Sequence, residues 1–191
     1  MIKLALFASG NGSNFQAIAE YFAIHPKIQI CHLFCNKPDA YVVTRAKNLG
    51  IPYTVFNKSD FYLGDSIVKQ LHQTNTNWIV LAGFLWLIPQ PIIEAYRDKI
   101  INIHPALLPA FGGKGMYGHK VHEAVIASGK TKSGITIHLV DEVYDNGKTL
   151  FQATCPVLPT DTAESLAEKI HKLEHTHFPS VIERALLAGK N

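Results

Sequence analysis

The strongest constraint on this chain is its regular alternation of short apolar runs with stretches of helical periodicity. Apolar runs of strand length over 2–8, 28–34, 53–56 and 78–82 are separated by segments over 15–22, 40–49 and 61–73 in which apolar residues recur at helical spacing. Repeated βα units of this length close as crossovers onto a parallel sheet with helices on both faces. The fold class expected is α/β, a Rossmann-like, mainly parallel sheet. A short helix over 92–96 and a strand from 99 continue the pattern. A helix over 119–128, strands over 133–140 and 149–157, and a long helix from 161 to 187, bent near Pro179, complete it. At 191 residues the length suits one domain with a sizeable core, and no repeat or linker divides it.

Composition narrows the partners. With 47% apolar and 17% charged residues and a net charge of +3, the chain is ordinary for a globular protein and carries no basic block, which argues against nucleic acid. The first apolar run is too short for a signal peptide or a membrane span. Cys31, Cys35 and Cys155 are an odd number for a disulfide framework, and each lies in an apolar strand-like run. A cytoplasmic protein with small-molecule partners, no nucleic acid and no membrane is expected, as a monomer or homodimer.

The chemistry concentrates at the end of the strand that starts at Lys99. Its β-branched residues stop at His104-Pro105, where proline removes the next backbone donor and restricts the residue before it. Period two places Asn102 and His104 on one side, an amide beside an imidazole at the sheet edge where α/β proteins hold ligands. An amide can donate to a developing oxyanion, and an imidazole can give or take a proton, so the pair suits a transferring acyl group. A capped strand end with a satisfied histidine is the plain alternative.

Five other stretches carry weight. Ser9-Gly10-Asn11-Gly12-Ser13-Asn14 joins a strand to a helix through a glycine turn, which is either an anion site with Ser13 and Asn14 as caps and donors, or a tight turn with a good N-cap. A monophosphate fits it better than a dinucleotide, because Phe15 replaces the third glycine of G-x-G-x-x-G and no acidic residue follows the second strand. The connection over 83–89 is unusually apolar; it either offers backbone groups to a flat heterocycle or packs under the next helix. The glycine-rich stretch over 110–118 reads as a mobile flap, and Asp145-Asn146-Gly147 reads first as a turn. In the last helix, His171-Lys172-Leu173-Glu174-His175 matches H-x-x-E-H; zinc would need a third ligand, and solvated helix histidines are the simpler account.

Gly10-Asn11-Gly12-Ser13-Asn14, Leu81-Ala82-Gly83-Phe84, the stretch from Asn102 to Pro109, and Asp145-Asn146-Gly147, in this order over nearly the whole chain, resemble the phosphoribosylglycinamide formyltransferase family of purine biosynthesis. The resemblance implies one formyltransferase domain over 1–191. It implies transfer of a formyl group from 10-formyltetrahydrofolate, a co-substrate, to the amine of glycinamide ribonucleotide, with no metal. It also implies that Asn102, His104 and Asp145 are the catalytic trio; in such a reaction the Asn102 amide and a protonated His104 are expected to donate to the oxyanion, with Asp145 favouring the charged imidazole. Gly12, Ser13 and Asn14 fall on the ribonucleotide phosphate loop, and Glu174 on a further ribonucleotide contact. Leu85, Trp86, Leu87 and Ile88 fall on the pteridine loop, and Val140 and Tyr144 on the segment that completes the folate pocket.

The chain departs from the family pattern at Leu85-Trp86, where Met-Arg is common, and at Asn146, where Gly is common. No arginine occurs between Arg45 and Arg97 to meet the folate glutamate tail. The resemblance leaves rivals: a formyltetrahydrofolate hydrolase or another folate-dependent formyltransferase such as the catalytic half of methionyl-tRNA formyltransferase, and a phosphate-ligand binding module without chemistry. The extra domains expected of the first two have no counterpart within this length.

Overall fold

The structure is a computed structural model that describes residues 1–63 and 65–188. In chain order the elements are β1 (Ile2–Ala8), α1 (Ser13–Phe22), β2 (Ile28–Cys35), α2 (Tyr41–Asn48), β3 (Tyr53–Val55), α3 (Lys58–Tyr62), α4 (Ser66–Gln73) and β4 (Trp78–Leu81). They continue with α5 (Gln90–Ala95), β5 (Ile100–His104), α6 (His119–Ala127), β6 (Lys132–Leu139), β7 (Thr149–Pro156) and α7 (Ala163–Ala188). The strands form one seven-stranded sheet in the order β3-β2-β1-β4-β5-β6-β7. The first five strands are parallel, whereas β6 pairs antiparallel with both β5 and β7.

Two cores, one per face, follow from the period-two alternation of the strands. Even positions of β1 (Leu4, Leu6, Ala8) pack with Phe15 and Ile18 of α1, Val42 of α2 and Ile170 and Phe178 of α7. Odd positions (Ala5, Phe7) pack with Phe61 of α3, Leu71 of α4 and Ile92 of α5. The second core is built largely from aromatic rings, with Phe7 stacked on Phe34 at 4.8 Å and edge-on to Phe84 at 5.4 Å.

The expected helix over 61–73 is two helices. Asn57 and Asp60 form a capping box that starts a short helix at Lys58, and α4 begins afresh at Ser66; Gly64 lies outside the described residues, as does the 189–191 end of the expected domain. The long final helix runs on through Pro179 as one element.

The reversal of β6 sets the site. Strand order turns at β1 and β4, so the loops after β1, β4 and β5 open at one sheet edge, the usual ligand crevice. Antiparallel pairing puts Asn102 opposite His138 and His104 opposite Thr136. These polar residues share a phase with Ile100, so the aromatic core gives way at this end of the sheet to a buried polar patch. The Thr136 hydroxyl donates to the Ala106 carbonyl at 2.7 Å and accepts from the Leu108 N–H at 2.9 Å, pinning the turn that follows His104-Pro105.

Candidate active site

A cavity of about 680 Å³ lies across this edge, lined by every site residue expected from the sequence: Gly12, Ser13, Asn14, Leu85, Trp86, Leu87, Ile88, Asn102, His104, Val140, Tyr144, Asp145 and Glu174. At one end the glycine loop feeds the N-terminus of α1. Gly12, not Ser13 or Asn14, is the N-cap, in the left-handed conformation at φ 79°, and no side chain caps the helix. The first N–H groups of α1 therefore lack intrahelical partners and carry the positive end of the helix dipole. Buried beside them, the Asn14 amide donates to Glu174 Oε2 at 2.9 Å, while the Asn14 Oδ1 has no protein partner. Burial pushes the Glu174 carboxyl up, against the opposing pull of Asn14 and His171.

At the opposite end the apolar connection packs into the core with part of its length and lines the cavity with the rest. Phe84 and Ile88 sink into the aromatic core, whereas Leu85 stays exposed in the cavity wall. Side-chain anchors hold the backbone: Leu85 N–H donates to Ser9 Oγ at 3.0 Å, and the Tyr62 hydroxyl donates to the Leu87 carbonyl at 3.0 Å. The region without arginine does present a cation here, since Lys58 Nζ lies 5.9 Å from the centre of the Trp86 ring.

Between the two ends sit Asn102, His104, Asp145 and His138. His138 Nδ1–H donates to the Leu139 carbonyl at 2.8 Å, so in the neutral ring Nε2 is an acceptor, 3.1 Å from Asn102 Nδ2. That fixes the amide with its NH2 toward His138, leaving a second N–H for the cavity. His104 Nε2 donates to the Phe111 carbonyl at 2.8 Å, and its Nδ1 faces Asp145 Oδ2 at 3.5 Å. Burial lowers the His104 pKa below its ordinary 6.5, outweighing the opposite pull of Asp145 and the Phe111 carbonyl. Burial thus works against the protonated ring expected from the sequence, while both ring nitrogens face acceptors, the Phe111 carbonyl and the Asp145 carboxylate. Burial pushes Asp145 up, but His138, His104 and the Gly113 N–H together hold its carboxyl below the usual range.

The stretch over 110–118, read from the sequence as a mobile flap, is docked on this machinery. Its Phe111 carbonyl and Gly113 N–H engage His104 and Asp145, and a side chain at Gly112 would meet Leu108 and Asp145. Among the described residues no group of three or more His, Cys, Asp or Glu side chains is arranged to hold a metal, and Glu174 of the H-x-x-E-H motif is engaged by Asn14.

A profile of the formyl transferase family matches residues 2–182. The chain belongs to this family. It is 47% identical over 188 residues to the chloroplastic phosphoribosylglycinamide formyltransferase of Vigna unguiculata, covering 95% of this chain and 60% of that protein. With the Bacillus subtilis phosphoribosylglycinamide formyltransferase it shares 40% identity, over 97% of this chain and 95% of the relative. The chain thus spans under two thirds of the plant relatives it matches, at 60% and 64%, and nearly all of the bacterial one. Among solved structures, glycinamide ribonucleotide transformylase 1 from Geobacillus kaustophilus superimposes with a TM-score of 0.87 at 38% identity, covering 98% of this chain and 99% of that one. The phosphoribosylglycinamide formyltransferase from Streptococcus pneumoniae TIGR4 does so with a TM-score of 0.86 at 35% identity, covering 97% and 99%.

The cavity is also lined by two histidines that no sequence motif singles out. His138 was absorbed into an alternating strand, and its signal was the polar pair Thr136 and His138 in a run without an exposed face. His122 lies on α6, is 4% exposed, and has an Nδ1 without a protein partner. Burial, aided by His171, His119 and His104, pushes its pKa down to about 4. Its folded pKa is thus below its unfolded value. The unfolded chain binds more protons between the two, and the stability is whole above pH 6.5 and lost as pH falls toward 4. Urea unfolding measured across that window will show His122→Gln losing less stability on acidification than the parent chain; equal slopes would remove His122 from this role.

Proposed function

We propose that this chain transfers the formyl group of 10-formyltetrahydrofolate to the amine of glycinamide ribonucleotide, acting as one formyltransferase domain in the cytoplasm. The observation that carries this reading is the order of chemistries along one cavity: orphan helix N–H groups, then a half-buried amide, a buried imidazole and a half-buried carboxylate, then an apolar loop held by side-chain anchors. The ribonucleotide phosphate meets the N-terminus of α1. Its ribose lies near Glu174, and the flat pteridine rests on the 85–88 backbone with Val140 and Tyr144 closing the wall.

The reacting groups then meet at Asn102. As the amine attacks the formyl carbon, charge builds on the formyl oxygen, and the free Asn102 N–H donates to it from a site already desolvated. The new C–N bond leaves the amine with a surplus proton. In its unprotonated form His104 accepts that proton at Nδ1, where Asp145 faces the charge that forms. The bond from the formyl carbon to the folate nitrogen then breaks, and the proton passes to that nitrogen. His138 acts through Asn102, holding the amide the right way round.

A spectroscopic assay of tetrahydrofolate formation is expected to show release that depends on the ribonucleotide; release in its absence would mean hydrolysis and overturn the reading. Asn102→Ala is expected to lower turnover by roughly 10² to 10³, the scale seen when an oxyanion donor is lost, with the fold intact by circular dichroism. Asp145→Asn removes the charge that favours protonated His104. The acid limb of the rate profile, which lies below pH 6.5, should therefore move to lower pH while kcat falls by roughly 10² to 10⁴. An unmoved limb would return Asp145 to a turn-forming role.

A further inference from the structure

The glycine loop at the phosphate end is held from outside the cavity by α2, a feature the proposed reaction does not use. The Val42 N–H donates to the Gly10 carbonyl at 3.1 Å, and a Cβ on Gly12 would lie 2.5 Å from Val42 Cγ2, so α2 packs directly against the turn. One helical turn on, Arg45 reaches over the loop. Its Nε donates to the Asn11 carbonyl at 2.9 Å and its Nη2 to Asn11 Oδ1 at 2.8 Å, so one guanidinium edge grips both the backbone and the side chain of a single residue. The remaining Nη1 donates to Gln16 Oε1, and Gln16 in turn donates from Nε2 to Glu20 Oε1 at 2.7 Å. The guanidinium also lies 4.9 Å from the centre of the Tyr41 ring.

We propose that Arg45 is a positioning residue for the acceptor's phosphate: its fork on Asn11 holds the 10–14 loop in the shape that aims the N–H groups of α1 into the cavity. This deepens the function proposed above and rests on it for the identity of the acceptor. Asn11 is an exposed loop residue between two glycines, and it would sample many conformations if left free. A planar fork fixes two bond directions at once, which a lysine ammonium cannot do from the same position. The guanidinium also keeps a permanent positive charge behind the loop. The nearby His175 does not, because burial, His171 and Arg45 itself hold its pKa below the ordinary value.

Arg45→Lys keeps the charge and removes the fork. Titration calorimetry with ribose 5-phosphate is expected to show the affinity of Arg45→Lys reduced roughly tenfold or more, with the midpoint of thermal unfolding little changed. In steady-state assays the KM for glycinamide ribonucleotide should rise by a similar factor, with kcat and the KM for the folate unchanged. The dephosphorylated acceptor, glycinamide riboside, should be used equally by both proteins. Wild-type-like affinity of Arg45→Lys for ribose 5-phosphate overturns the proposal. So does an equal loss on the riboside or the folate, which would mark a general structural role, or a lack of ribose 5-phosphate binding by the parent chain. Absent turnover in the parent chain would count against the function proposed above, and the ribose 5-phosphate comparison would still decide the role of Arg45.

Discussion

Pairing β5 with an antiparallel β6 is the constraint on which the site depends. It sets Asn102 against His138 and His104 against Thr136 in the interior of a sheet, and His104, Thr136 and His138 are each almost fully buried. Buried polar groups that go unpaired cost more than they return, so this patch dictates what surrounds it. Thr136 takes the Ala106 carbonyl and the Leu108 N–H, His138 takes the Leu139 carbonyl and Asn102, and His104 needs Phe111 and Asp145. The glycine-rich stretch over 110–118 and the Asp145 turn are therefore structural partners of the strands. Glycine at 112 is what lets the first approach the second so closely.

The same burial sets the acid-base behaviour. Desolvation acts on His104 and on Asp145 in opposite directions along the pH axis, lowering the first and raising the second, while their mutual attraction opposes both. For Asp145 the partners win, because it receives the Gly113 N–H as well as two facing imidazoles; for His104 desolvation wins. The result is an imidazole whose charged form is disfavoured by burial beside a carboxylate whose charged form its partners favour.

Much of the fold was legible in the sequence because the alternation of apolar runs reports local geometry directly. The strands β1, β2, β4 and β5 and the abrupt end at His104-Pro105 all fall where period and proline place them. The misses share a cause. Reading 61–73 as one helix followed apolar spacing across Gly64 and overlooked the Asn57 and Asp60 capping box, a signal carried by two side chains and not by periodicity. Assigning the cap of α1 to Ser13 and Asn14 followed side-chain preference, whereas the left-handed Gly12, crowded by Val42, takes the position. His138 was missed because its partner lies 36 residues away, and strand register is set by long-range pairing that one sequence does not display. The site residues named by resemblance all line the cavity, yet the protonation of His104 depends on burial, which motif matching does not report.

The two cores also explain why the cavity is chemically asymmetric. Its polar wall is made by α1 and α7, whose apolar faces belong to the core packed on the even positions of β1. Its apolar wall comes from Phe84, Trp86, Ile88 and Val140, which belong to or pack on the aromatic core of the opposite face. Strand side chains alternate between these faces, so a single sheet edge can present loops rooted in either core. Asn102 and His104 share the aromatic-side phase, but they stand at the last residues of β5, where no further sheet separates the two faces. A ligand with a charged end and a flat apolar partner can therefore meet only there, at the strand end between two independently packed walls.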